Sequence, residues 1–181
     1  VPAYIIGQWT LPKATYAQAA RALKSAPQVD GEAQIFGSEA AILAGKRPSE
    51  ERGALENAVA EAPANPRGWM VVSDAYAAGG DRRRAAAALA QALTLAQHEF
   101  YLSEPLLARS ANLWPWLDHD SRSSAVRITR QLWDVPESRS DLLVLAASPS
   151  GSKLIDTSFE ADGETSKLVH DWLGSADRDR D

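Results

Sequence analysis

Trp69, Val72 and Tyr76 recur at i, i+3 and i+7, so they share one face of a helix, with Ser73 beside them. Gly79-Gly80 closes that helix, because a left-handed residue ends a helix and glycine takes that conformation without steric cost. Asp81 follows as an N-cap, its carboxylate placed to accept orphan backbone N–H groups of a second helix. In the second helix Ala85, Leu89, Ala92 and Leu93 recur at i, i+4, i+7 and i+8. Residues 66–96 therefore predict a helical hairpin. Small residues at Ser73, Ala85 and Ala92 let the two backbones approach, and Trp69, Tyr76 and Leu89 fill the space above and below.

The same periodicity extends in both directions. Thr10-Leu11-Pro12 opens a helix that runs to about Ser25 through Tyr16, Ala19, Ala20 and Leu23. A helix over residues 30–44 carries Phe36, Ala40 and Leu43 on one face, and Gly45 ends it. After a turn over residues 46–49, where Ser49 is the expected cap, a partner helix over 50–61 turns Leu55, Ala58 and Val59 inward. Beyond His98 the pattern loosens. Helices are expected over 102–114, from Asp118 or Asp120 to Trp133, and from Pro136 through Leu142, Leu143 and Leu145. Residues 148–151 read as a loop. Residues 153–159 fit a short helix or one extended piece. Residues 164–173 form a last amphipathic helix, and 175–181 alternate Asp and Arg as a disordered tail. Strand patterns are nearly missing, so the chain reads as all-α.

The central hairpin resembles a tetratricopeptide repeat (TPR), a helix–turn–helix unit of about 34 residues. Counting from Pro66, Trp69 takes the repeat's Trp position, Ser73 its small residue, Tyr76 its Tyr and Gly80 its turn glycine. Ala85 and Ala92 take the two Ala positions, and Leu89 the Phe position. Gln97 departs from the Pro usual at the exit. The resemblance is strongest over 66–96 and weaker over 12–64, where Gly37 after Phe36 is similar to the repeat's Leu-Gly pair. There the turn looks about two residues longer than the family's. The implied architecture is an α-solenoid of TPR-like helical hairpins with a degenerate helical C-terminal part. Its segments are 1–11 (extended or membrane-proximal), 12–97 (repeats), 98–174 (degenerate helices) and 175–181 (tail).

Composition narrows the function. The hydrophobic fraction of 45% is ordinary for a globular protein, and the formal charge of −5 comes from mixed signs with no basic tract, which argues against nucleic acid as a partner. Cysteine is absent, which excludes disulfides and thiolate metal sites. The three histidines, at 98, 119 and 170, fall on separate elements. Asp118-His119-Asp120 is the most suggestive cluster for a base or a metal, yet an Asp at a helix start is expected for capping alone. There is no Gly-rich phosphate loop and no Gly-x-Ser-x-Gly elbow. No catalytic residue, metal site or cofactor is assigned. Arg82-Arg83-Arg84 oppose the helix dipole in a first turn, so they are expected to pair with Glu56 and Glu61 or, failing that, with an acidic ligand.

The TPR resemblance implies a groove lined by the first helix of each hairpin. By position its residues are Arg67, Met70, Asp74 and Ala77, with Gln34, Ser38 and Ala41 in the weaker repeat. Such grooves take an extended peptide or a partner's helix. Tyr4 and Trp9, flanking the apolar segment at residues 1–9, and Trp116 after Pro115 are further contact candidates, with Trp114 and Trp133 expected in the core. Residues 1–9 are too short to span a bilayer; they fit the stretch after a removed signal, or the outer end of an anchor touching a membrane or membrane protein. The expected function is a non-catalytic protein-interaction scaffold: an accessory subunit or adaptor of a larger bacterial envelope-associated assembly, periplasmic or membrane-associated. The alternatives are the soluble TPR domain of a membrane-tethered polysaccharide-assembly protein and, for location, the cytoplasm.

Overall fold

The computed structural model of the protein describes residues 13–25 and 30–178. They form ten α-helices joined by turns, with no strand among them. None of these helices is long and apolar enough to cross a membrane. The chain divides into two compact units, Val1–Ala96 and Gln97–Asp181.

The first unit holds α1 (Lys13–Ser25), α2 (Gly31–Leu43), α3 (Pro48–Glu61), α4 (Pro66–Ala78) and α5 (Arg82–Leu95). Each helix packs mainly on its neighbours in the chain, and α2 also touches α4. The core between α2 and α5 is Ile35, Leu55, Ala58, Val59, Val71, Val72, Ala75 and Ala88, with Trp69 and Tyr76 packed at its edge. The predicted small contacts are present: Ser73, Ala85 and Ala92 are buried, and Ser73 Oγ donates to the Ala85 carbonyl at 2.8 Å.

The α2–α3 and α4–α5 hairpins repeat one another in detail. Asp30 and Asn65, 35 positions apart, cap α2 and α4 by accepting the N–H of the residue three further on. Gly45 and Gly80, again 35 apart, are the glycines with positive φ among the described residues, 108° and 85°. Each sits in a pair of closing bonds: Gly45 and Lys46 N–H to the Ile42 and Ala41 carbonyls, Gly80 and Asp81 N–H to those of Ala77 and Tyr76. This double bond pattern is the Schellman motif, which satisfies the last helical carbonyls and needs a left-handed residue. The second helices are offset by 34, which aligns Leu55, Ala58 and Val59 with Leu89, Ala92 and Leu93.

This alignment corrects the reading of the first hairpin by one residue. Ile35, Ser38 and Ala41 turn inward, and Phe36, expected in the core, is 46% exposed. The Phe36-Gly37 pair misled because Ser38 is the true counterpart of Ser73. The turn after Gly45 is one residue longer than the turn after Gly80, and α3 begins at Pro48, so Ser49 lies inside the helix and caps nothing.

The second unit holds α6 (Ser103–Leu113), α7 (His119–Asp134), α8 (Arg139–Ala146), α9 (Pro149–Phe159) and α10 (Gly163–Arg178). Here packing is not sequential: α9 touches α6, α7 and α8, closing a bundle around Leu106, Leu107, Leu132, Leu142, Leu154 and Ile155. Residues 148–151 are the start of α9, not a loop, because Ser148 caps by accepting from Gly151 N–H at 3.0 Å and Pro149 suits the first turn. That also settles 153–159 as helix. α10 continues past Leu173 to Arg178. Trp133 and Trp114, expected in the core, are half-buried at its edge: Trp133 packs edge-on against Phe159 and Trp172 with the Arg139 guanidinium 4.2 Å from its ring, and Arg122 lies 5.5 Å from Trp114.

Candidate functional site

The predicted groove residues separate into three groups. Met70, 5% exposed, and Ser38, 1% exposed, are buried and offer a partner almost no surface. For Ser38 the cause is the one-residue shift, which makes it a partner of α3. Gln34 lies elsewhere, its amide donating to Glu61 of α3 at 3.1 Å. Arg67, Asp74 and Ala77 remain half-exposed along α4.

Arg67 is the centre of a small surface that joins α2 to α4. Its Nε donates to Glu39 Oε1 at 2.7 Å, and its guanidinium lies 5.3 Å from the centre of the Phe36 ring. The exposed aromatic, the planar cation and the carboxylate thus form one patch across two consecutive hairpins. Aromatic residues, Phe among them, and Arg are enriched at protein interfaces. Phe36 was missed as a contact because its period matched a core position under the shifted register. Tyr4 and Trp9 lie outside the described residues. Trp116 belongs to the second unit, 45% exposed in the turn before α7.

The turn between α4 and α5 shows how Arg84, the last of the arginine triplet, is held, while Arg82 and Arg83 are exposed. Tyr76 hydroxyl donates to Glu56, and its ring is approached by Arg52 at 5.8 Å and Arg84 at 5.7 Å. The hydrogen bond to Glu56 raises the Tyr76 pKa. Arg84 also pairs with Asp81 at 3.5 Å. Glu61 serves Gln34 instead, so the expected Glu56 and Glu61 pairing with the arginines gives way to a Tyr76-centred cluster.

Unit two brings together other titratable groups. Asp118 caps α7, accepting from Ser121 N–H at 2.8 Å, and that bond lowers its pKa. His119 lies in the first turn, fully open to solvent, which matches the helix-start reading of the Asp-His-Asp cluster. His170 donates from Nδ1 to the Ser166 carbonyl and meets Asp156 at 2.9 Å through Nε2; the Ser166 bond, then Asp156, raise its pKa. Glu104 of α6 and Asp141 of α8 both titrate high, burial being the main cause and the charge of Asp141 adding to it at Glu104. Among the described residues no group of three or more His, Asp or Glu is arranged to hold a metal ion.

A cleft of about 500 Å³ runs along α7, lined by Trp114, Arg122, Arg127, Arg130, Gln131 and Thr157 among others. No family model, curated protein or solved structure matches the chain.

Proposed function

We propose that the protein is a non-catalytic interaction scaffold, an adaptor or accessory subunit of a larger, envelope-associated assembly, and that its first unit is a short TPR-like array. The observation that carries this reading is the repetition of the two hairpins, at an offset of 35 in their first helices and 34 in their second: matched N-caps on α2 and α4, matched Schellman glycines and a matched inward serine. Repeated hairpins stack into surfaces that span several units, and such surfaces serve recognition. The proposed contact face is Phe36 and Arg67, extended along α4 by Asp74 and Ala77. It suits a peptide or helix that places an apolar side chain against Phe36 and a carboxylate or backbone carbonyl near Arg67. The apolar, aromatic-flanked residues 1–9 support attachment to a membrane-associated partner.

The test is a crosslinking pulldown from native membranes with the intact chain, a Phe36→Ala/Arg67→Glu variant and an Arg83→Glu control. Loss of the partner with the first variant and retention with the control supports the face. Undiminished capture by the Phe36→Ala/Arg67→Glu variant refutes it.

A further inference from the structure

The second unit has nine Lys and Arg against fifteen Asp and Glu, a formal charge of −6. Three of those nine cations nevertheless meet in the cleft along α7: Arg122, Arg127 and Arg130. Eight residues of helix separate the first from the last, a row roughly 12 Å long. Among the described residues none of the three is ion-paired. Arg122 is held by neutral acceptors, its Nε donating to the Trp114 carbonyl at 3.1 Å and a terminal nitrogen to that of Pro115 at 3.4 Å. Arg130 Nε donates to the Ser158 carbonyl at 2.6 Å. These bonds fix two guanidinium planes, while Asp118 near Arg122 and Asp162 near Arg130 offset part of their charge, each carboxyl being lowered in part by its arginine; Arg127 has no such neighbour among the described residues. Much of the side-chain entropy that a ligand would otherwise have to remove is already lost.

The rest of the lining qualifies the ligand. Ser123, Gln131 and Thr157 supply neutral hydroxyl and amide groups, Val126 and Trp114 supply apolar surface, and His119 and Asp134 are the other charged or titratable groups present. A volume of about 500 Å³ falls within the range of small-ligand sites. A guanidinium fork matches a planar or tetrahedral oxyanion and forms bidentate bonds to it.

We propose that the α7 cleft binds a small hydroxylated ligand carrying an oxyanion, a phosphate ester or a carboxylate, on a body of about monosaccharide size. The oxyanion sits between Arg127 and Arg130, and the hydroxyls meet Ser123, Gln131 and Thr157. This site lies in the second unit and is independent of the protein-binding face proposed for the first.

The experiment is titration calorimetry of the intact chain at low ionic strength with glucose 6-phosphate, glucuronate and glucose. The proposal expects the anionic sugars to bind and glucose not to, and the tighter of the two identifies the oxyanion. Arg127→Gln and Arg130→Gln each weaken binding about tenfold or more, since a hydrogen bond to a charged group is worth at least that factor. Among the described residues Arg127 makes no side-chain hydrogen bond or ion pair, so its variant is expected to keep the native circular dichroism and isolate binding from folding. Lys167→Glu on α10, outside the cleft, leaves affinity unchanged. The proposal is overturned if neither anionic sugar binds at millimolar concentration, if glucose binds equally, or if Lys167→Glu weakens binding as much as Arg127→Gln.

Discussion

Replacing Lys46 by Met should destabilise the first unit more than removing the buried carboxylate it serves. Glu51 is 1% exposed and accepts from Ser38 Oγ at 2.9 Å and from Lys46, whose side chain is 42% exposed. Lys46 is one of the groups that compensate the buried Glu51 charge; removing one partner of a buried pair costs up to about 3–5 kcal/mol, less where other contacts to the remaining charge persist. Water can reach the position of the half-exposed ammonium, so about 2 kcal/mol is expected for Lys46→Met. Glu51→Ala follows a different course. Its counterpart in the second hairpin is Ala85, where the equivalent serine donates to the backbone carbonyl. Ser38 can make the same bond once the carboxylate is gone, and the desolvation cost of the carboxylate disappears with it. Glu51→Ala should therefore cost under about 1 kcal/mol. The double variant should be more stable than Lys46→Met alone. Urea denaturation followed by circular dichroism reads all three, and about 2 kcal/mol corresponds to roughly 8–16 °C in a domain of this size. A double variant as unstable as Lys46→Met, or a Lys46→Met cost below about 0.5 kcal/mol, would refute the reasoning. The pH dependence has a definite sign. Lys46 titrates above its ordinary 10.5, chiefly through its bond to Glu51. Its contribution is complete below that value and is lost as pH rises through the raised pKa, a loss that Lys46→Met should lack.

Three further outcomes follow from the second unit. A Cβ added at Gly151 would lie 1.9 Å from the Leu145 carbonyl oxygen, so Gly151→Ala must push α8 from α9; a loss of about 3 kcal/mol or more in urea denaturation is expected. Burial raises the Glu104 pKa, so its ionisation opposes folding; Glu104→Gln should raise the melting temperature at pH 7, with the gain vanishing as pH falls below about 4.5. His170 is raised by Ser166 and Asp156, so its contribution is present below pH 6.5 and is lost as pH rises through the folded pKa; Asp156→Asn should move the His170 NMR titration downward.

The central hairpin was legible because its signals are local. Trp69, Ser73, Tyr76, Gly80 and Asp81 carry both the helix period and the turn chemistry. The preceding hairpin was legible as an element but not in register. Phe36-Gly37 offered a false anchor, whereas Gly45, 35 positions before Gly80, marks the true one. The state of the tryptophans was hidden because it depends on contacts from elsewhere in the chain: Phe159, Trp172 and Arg139 meet Trp133, and Arg122 meets Trp114 from eight residues away. The α7 cleft needs Thr157 of α9 as its second wall, a contact that sequence spacing does not reveal. One trace was visible, since Arg127 has no carboxylate three or four residues away on its helix to pair with. The closed bundle of the second unit, with α9 packed on α6, α7, α8 and α10, likewise follows from tertiary contacts and not from period.

The most direct test of the scaffold reading is site-specific photocrosslinking in native membranes. A photoreactive phenylalanine analogue replaces Phe36 in one sample and Gln91, exposed on α5, in another. The account predicts that position 36 captures a defined segment of one partner protein and that position 91 does not. Equal capture from both positions, or capture from position 91 alone, would contradict it.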